Sequence, residues 1–185
     1  MRPGSPEPKP PAGSADKDRG VAPVLVLAVG NILLGDDGCG QRVLAELAAV
    51  HQRWGAAVQL VDGGTQGMAL LGFLAGRRAV IFLDAVALGS APGTLHRLRN
   101  QEVFTATPGA RATAHEASAG DLLRAAALVG QLPPEVVVIG VEPGSLETGV
   151  GLSPAVRESI PGALSAATEV LDGLVSKLAE GQPMA

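Results

Sequence analysis

Acidic side chains with the potential for chemistry follow three short apolar runs of this sequence. They are Asp37, Asp62 and Asp84, which come after the runs 24–29, 57–61 and 79–83. Short continuous runs of Val, Leu and Ile predict strands that are buried on both faces, as in a parallel sheet. Loops beyond the carboxyl ends of such strands form the ligand crevice of open α/β sheets, so we expect the three acids on one rim. Carboxylates held together repel one another unless a cation or strong donors balance them, so the pattern favours a cation site.

The first of these loops has the glycine spacing of a phosphate-binding loop but the opposite charge. Gly30 and Gly35 are five residues apart, and Asp36 and Asp37 stand where a P-loop has its lysine and hydroxyl residue. Two carboxylates would repel a phosphate, so this loop is expected to attract a cation. A structural alternative is that Asp36 and Asp62 cap helices or accept backbone N–H bonds, and we favour that role for Asp36.

The sequence contains three histidines, and one of them stands apart. His115 lies in a segment without periodicity just before a predicted helix, and such loops often carry function. Ligand and structural roles both stay open for it on this evidence. Structural roles are favoured for His51, near the end of the first predicted helix and facing solvent, and for His96, on the polar side of an alternating strand. Oxygen ligands with one imidazole would suit a divalent ion such as zinc or nickel.

Alternating strands and helices must position these residues. Strands are predicted over 24–29, 57–61, 79–83 and 136–140, with a half-exposed edge strand over 93–98, and helices over 38–50, 66–74, 121–129 and from 154 to about 178. This order predicts an α/β fold, a three-layer sandwich with a mostly parallel twisted sheet flanked by helices. Thr65 is expected to cap the second helix, and Pro161 to kink or split the last one.

The composition indicates one folded domain behind a tail. The chain has 185 residues with 46% apolar content, enough for a single core, which we assign to residues 23–180. Residues 1–22 carry five of the 14 prolines within their first eleven positions and have no periodic pattern. We predict that they form a disordered N-terminal extension.

Several classes of partner are disfavoured. A net charge of -4, 14 Lys and Arg residues, and 2% aromatics leave no basic stripe or stacking platform, so we expect no nucleic acid partner. One cysteine rules out an internal disulfide and suits a reducing cytosol. The sequence has no signal peptide or membrane-spanning run, which predicts a cytoplasmic protein without a membrane partner. No exposed heptad or long apolar edge demands a dimer, so a monomer is expected.

Seven motifs, in order, resemble a known family. They are GNILLGDDGCGQRV at 30–43, VDGGTQGMALL at 61–71, FLDAV at 82–86, APGTL at 91–95, His115 followed by a helix bearing two leucines, VIGVEP at 138–143 and GLSPAV at 151–156. From Pro23 to about Leu178 the chain resembles the [NiFe]-hydrogenase maturation endopeptidases.

That resemblance implies a specific activity. Proteins of this kind cut a short C-terminal extension from the precursor of the hydrogenase large subunit after nickel has been inserted. The family's metal-binding residues fall on Asp37, Asp84 and His115, which are therefore expected to be both metal ligands and catalytic. The nickel is expected to be that of the substrate precursor, although another divalent metal could take its place.

Three further residues near these motifs need a role. Either the metal or a carboxylate would activate the attacking water, and Asp62 is the spare acid that we would test first as the base. Glu142 could be a further rim carboxylate, but a satisfied structural acid is the favoured interpretation. Cys39 stands where many relatives of the family have a larger apolar residue, and we expect it to pack, since it has no partner for redox or ligand chemistry.

Other functional classes fit less well. Neither the H-E-x-x-H pair of zinc proteases nor the G-x-S-x-G nucleophile motif is present, which favours recognition of a metal in the substrate. A nucleotide-binding or methyl-donor-binding module would need G-x-G-x-x-G, and a magnesium phosphohydrolase would need an acid at Val86. A non-catalytic nickel-binding hydrogenase maturation chaperone is the nearest alternative, because the same three ligands would serve it.

Overall fold

The computed structural model describes residues 20–106 and 119–184, which form a five-stranded sheet with helices on both faces. The strands are β1 (Val24–Val29), β2 (Val58–Gly64), β3 (Ala79–Ala85), β4 (Leu95–Arg99) and β5 (Glu135–Val141), in the order β2-β1-β3-β5-β4. All neighbours are parallel except β4, which runs antiparallel to β5 at the edge. The predicted α/β fold with a mostly parallel sheet is confirmed.

Two layers of helix cover the sheet. The helices are α1 (Cys39–Ala48), α2 (Leu71–Leu74), α3 (Gln101–Ala106), α4 (Ala119–Leu128) and α5 (Pro154–Ala179). One apolar cluster joins α1 and α5 to one face, and a second joins α2 and α4 to the other. All six residues of β1 are buried, which is the reason for its unbroken apolar sequence. None of the helices in the described ranges is both long and apolar enough to cross a bilayer.

Of two local predictions about the helices, the cap at Thr65 is wrong, and of the kink or split at Pro161 the split is wrong. α5 is a single helix with Pro161 inside it, so the predicted split does not occur. Pro161 is exposed, whereas Ile160 and Ala163 beside it are buried, and this apolar packing offsets the hydrogen bond that proline cannot make. Thr65 does not cap the second helix, because the chain first makes a 3-10 turn over Gly67–Leu70 that lacks a side-chain cap.

Two boundaries bear on the candidate residues. β2 continues through Gly64, so Asp62 lies inside the strand and not after it. The segment without periodicity that contains His115 is predicted over residues 100–118, and the short helix α3 lies near its start. The rest of that segment up to residue 118, which includes His115, lies outside the described residues, as do residues 1–19 of the predicted N-terminal extension.

Candidate functional site

Asp84 lies at the carboxyl end of β3, near the centre of the sheet. It is aligned with Gly140 of β5 and is half-buried. Burial and then the negative charge of Asp37 raise the pKa of Asp84 well above its usual value, against a smaller opposing effect of the Ala85 N–H. A carboxylate in these surroundings is stabilised by a proton or by a cation.

The loop after β1 brings Asp37 towards Asp84. Asp37 lies on a 3-10 turn, Gly35–Gly38, and its Oδ2 accepts a hydrogen bond from the Asn31 N–H at 2.6 Å. Gly30 has a φ of 123°, and a Cβ there would overlap the backbone carbonyl of Asp37. A Cβ at Gly40 would likewise overlap the Leu83 carbonyl, so the start of α1 packs directly on the end of β3. Glycine is needed at both positions to hold Asp37 beside the end of β3.

Asp36, the neighbour of Asp37, has the opposite electrostatic character. Its side chain is 1% exposed, and it accepts N–H bonds from Gly144 at 2.8 Å, Ser145 at 3.0 Å and Ser153 at 2.6 Å. Burial alone would raise the pKa of Asp36, but the hydrogen bonds from Ser153, Gly144 and Ser145 outweigh it, and the pKa is lowered. The structural role favoured for Asp36 is confirmed.

Asp62 is not brought into contact with the other two acids. It is exposed, its Oδ1 accepts the Gly64 N–H at 3.0 Å, and it is aligned with Ala28 of β1. Ala28 is in turn aligned with Leu83, the residue before Asp84. Because successive side chains of a strand point to opposite faces, the side chains of Asp62 and Asp84 lie on opposite faces of the sheet. Two strand spacings separate the backbones, about 10 Å. A role for Asp62 as the base stays a prediction.

The third candidate ligand, His115, lies outside the described residues. α4 begins four residues after it, at Ala119, and packs into the same apolar cluster as Phe82. Asp84 lies two residues after Phe82 on the same face of β3, and four residues of chain span at most about 14 Å. Among the described residues alone, no group of three His, Cys, Asp or Glu side chains could hold a metal. The predicted triad therefore stays a prediction, although the face on which α4 starts is the one that it requires.

Glu142 and His96 form a buried pair that sequence reasoning did not join. His96 Nε2 lies 2.8 Å from Glu142 Oε2, and the same carboxylate accepts the backbone N–H groups of Leu88 and Gly89 at about 3.0 Å. Burial alone would raise the pKa of Glu142, but the donors, led by the Leu88 N–H and His96, outweigh it and lower the pKa. The pair fixes the loop that follows β3, which confirms the structural roles favoured for both residues. No local signal could have paired two residues that are 46 positions apart.

Two other polar side chains also have structural partners. His51 Nε2 lies 2.8 Å from the Val58 carbonyl oxygen, and the side chain is half-buried, so the prediction that it faces solvent is wrong while its structural role is confirmed. Cys39 is 1% exposed in the core, and burial raises the pKa of its thiol, with a further contribution from Asp84 and Asp37. A thiol of this kind packs and is not reactive.

Gln41 is a supporting residue that the sequence analysis missed. Its Nε2 donates to the Gly30 carbonyl at 2.8 Å, so the side chain supports the backbone against which Asp37 packs. Its Oε1 is buried and has no hydrogen-bond partner within the described ranges. A polar residue in the first turn of a helix, close to the apolar residues Cys39 and Val43, was the available signal.

Comparison with known proteins gives consistent matches. A family model described as hydrogenase maturation protease matches residues 42–170, a span that contains Asp84 and His115 and begins after Asp37. The hydrogenase 2 maturation protease of Escherichia coli is 40% identical over 144 residues, which cover 76% of this chain and 85% of that protein. HupD of Rhodobacter capsulatus, a hydrogenase expression/formation protein, is 39% identical over 149 residues, 80% of this chain and 70% of that protein. The solved structure of the hydrogenase maturating endopeptidase HybD from E. coli superposes with a TM-score of 0.72 at 36% identity, covering 81% of this chain and 92% of that one.

Proposed function

The chain belongs to the hydrogenase maturation protease family and is a peptidase, and from this premise we propose that it removes the C-terminal extension from the nickel-loaded precursor of a [NiFe]-hydrogenase large subunit. One observation carries the proposal. Asp37 and Asp84 converge at the carboxyl end of the sheet, where burial and their mutual repulsion raise the pKa of Asp84. Two acids in this arrangement favour a cation, and the nickel of the precursor is the cation that a maturation reaction offers.

In the proposed reaction, Asp37, Asp84 and His115 engage the nickel of the substrate. Two carboxylates and one imidazole suit a borderline divalent ion, so another divalent metal could take the place of nickel. Engagement would bring the scissile peptide bond next to the site and hold it there. Effective local concentration and orientation of this kind account for a large part of enzymatic rate enhancement. Because a precursor without metal would lack this anchor, metal loading would license cleavage.

Hydrolysis also needs a group that takes a proton from the attacking water. Asp62 is one candidate, and the gap of about 10 Å across β1 corresponds to about three extended residues of a bound peptide. The metal held by Asp37, Asp84 and His115 is a second candidate, because a bound divalent ion would lower the pKa of a water that it coordinates. The two assignments differ in which face of the sheet the water would occupy.

Incubation with a purified large-subunit precursor tests the proposal. We expect the nickel-loaded precursor to lose mass by the length of its C-terminal extension, as measured by intact-protein mass spectrometry, and the nickel-free precursor to stay unchanged. Cleavage of both forms would contradict the metal-dependent step. Binding without a change in mass would contradict the proposed reaction and support a nickel-binding chaperone.

His115→Ala tests the ligand that lies outside the described residues. We expect this variant to lose processing, because an imidazole is the nitrogen donor of the proposed site, while the circular dichroism spectrum and thermal unfolding stay close to wild type. Normal processing by the variant would remove His115 from the site. That result would leave the assignment of the chain as a peptidase unchanged.

A further inference from the structure

Two loops meet at Asp36, and backbone hydrogen bonds join them on both sides of it. The first is the loop after β1, residues 30–38; the second is residues 143–153, between β5 and α5, which we call the return loop. The Gly35 N–H donates to the Gly149 carbonyl at 2.9 Å, and the Asp36 N–H donates to the Ser145 carbonyl at 3.0 Å. A third bond runs from the Gly149 N–H to the Leu33 carbonyl at 2.9 Å. The loop that carries Asp37 is therefore paired with the return loop.

The Asp36 side chain completes this junction. Its Oδ2 accepts the Gly144 and Ser145 N–H groups, and its Oδ1 accepts the Ser153 N–H. A Cβ added at Gly144 would lie 3.3 Å from Asp36 Oδ2, so the carboxylate fits against the return loop with little spare room. Beside this junction the two loops enclose a cavity of about 320 Å³ that opens to solvent.

The return loop is itself fixed to the core. Ser153 is the N-cap of α5, and its side chain accepts the Val156 N–H. Val156 is fully buried, and α5 packs along the sheet in the same cluster as α1. A rigid connection thus runs from α5 through the Asp36 carboxylate to the 3-10 turn that bears Asp37.

We propose that Asp36 is a positioning residue, which sets the place of Asp37 relative to Asp84 by fastening the first loop to the return loop. This inference rests on the proposed function, in which Asp37 engages the nickel of the substrate. In this role Asp36 would not touch the metal or the peptide bond, because both of its carboxylate oxygens accept backbone N–H groups. Its effect passes through the backbone that it shares with Asp37, and a displacement of about 1 Å at a reacting centre can cost about 100-fold in rate.

Asp36→Asn tests this role. In either orientation of the amide, its NH₂ group would face at least one of the backbone N–H groups that the carboxylate now accepts, so the junction must open. Glu135→Gln is the matched control, because Glu135 is also fully buried and pairs with Arg99 at 3.0 Å. It stands at the other end of β5, about 20 Å from the candidate site.

Two quantities and one further variant separate positioning from simple stability. The first is the turnover number on the nickel-loaded precursor, measured where each variant is folded and corrected for its folded fraction. We expect it to fall about 10-fold or more in Asp36→Asn and to stay close to wild type in Glu135→Gln. The second is the ratio of the Kd for nickel-free precursor to the Kd for nickel-loaded precursor, which should fall in Asp36→Asn and not in Glu135→Gln. The further variant is Gly144→Ala, whose Cβ would lie 3.3 Å from both Asp36 Oδ2 and Pro92 Cβ and would change no charge. It should lower turnover in the same direction by a smaller factor.

The outcomes are distinguishable. If wild type does not cut the precursor, the proposed function fails. If wild type cuts it and Asp36→Asn matches Glu135→Gln in corrected turnover, the positioning role is overturned while the function stands. If Asp36→Asn does not fold, Gly144→Ala decides, and wild-type turnover in that variant would overturn the role.

Discussion

Asp36 and Asp84 lie at the same end of the sheet, and the protein treats their charges in opposite ways. Asp36 is the more deeply buried, yet three backbone N–H groups keep its pKa low. Asp84 is half-buried, with the Ala85 N–H as a weak opposing influence and Asp37 as a like charge nearby, and its pKa is raised. Burial raises the pKa of both carboxylates; the donors around Asp36 outweigh that effect, whereas the single N–H of Ala85 at Asp84 does not.

The two acids represent two classes. We call the first a holding acid, because donors within the fold bind its charge, and the second an acting acid, because we propose that it binds the metal of the substrate. A carboxylate whose donors come from other loops, such as Asp36 or Glu142, has its charge satisfied within the fold and can fasten those loops together. A carboxylate that lies beside another acid is repelled by it, and a cation such as a substrate metal would stabilise its ionised form. An acid whose pKa is strongly perturbed by burial and a specific charged neighbour is a candidate for a functional site.

Asp84→Asn should give the largest effect and the sharpest form of the comparison. We expect processing of the nickel-loaded precursor to fall by at least about 100-fold, the usual scale for losing a group that acts at the reacting centre. The melting temperature should stay the same or rise, because asparagine has the same shape and removes both the buried charge and its repulsion with Asp37. Product mass and thermal unfolding measure the two quantities.

Asp36→Asn provides the contrast for that result, since the loss of a satisfied carboxylate should lower the melting temperature. If Asp84→Asn destabilised the protein as much as Asp36→Asn, the distinction between an acting and a holding acid would fail. Retained processing in Asp84→Asn would break the functional half of the comparison.

Glu142→Gln tests the holding class away from Asp37. The amide nitrogen of the glutamine would face backbone N–H groups whose hydrogen bonds the carboxylate now accepts. We therefore expect a loss of about 1–3 kcal/mol in the free energy of unfolding at neutral pH. Because the folded-state pKa of Glu142 lies below its ordinary value of 4.5, its contribution is fully present above pH 4.5 and is lost as the pH falls through the folded-state pKa. Chemical denaturation at several pH values should show the gap between wild type and variant closing in acid. A gap that stays constant down to the lowest pH would contradict the assignment.

The sequence was sufficient to predict where Asp37 and Asp84 lie, because that information is local. An apolar run followed by an acid places Asp84 at the carboxyl end of a buried strand, and parallel neighbours bring Asp37 to the same rim. The same logic failed at Asp62, where the Asp-Gly-Gly sequence predicts a turn. There the ladder to β1 continues to Gly64 across a register shift at Gly63, where a Cβ would crowd Leu70 and the Ala28 carbonyl.

The partners of the holding acids could not be predicted, because they are distant in the chain. The role of Asp36 as an acceptor of backbone N–H bonds was expected, but its donors lie 108 to 117 residues away. Hydrophobic periodicity determines which face of an element is buried and carries no information about which loops meet above the sheet. Such contacts follow from the assembled topology, here from α5 returning beside α1.

His51→Ala should give the smallest effect, and it extends the comparison from carboxylates to imidazoles. The His51 ring bonds the Val58 carbonyl at the first residue of β2, about 20 Å from the carboxyl end of that strand. Its loss should cost about 0.5–1.5 kcal/mol in the free energy of unfolding, the scale of one hydrogen bond, and leave processing near wild type. His115→Ala is expected to show the reverse pattern, with processing lost and stability kept. If His51→Ala abolished processing while the protein stayed folded, a hydrogen-bond partner within the fold would no longer identify a side chain as structural. The assignment of Asp36 and Glu142 to the holding class would then lose its basis.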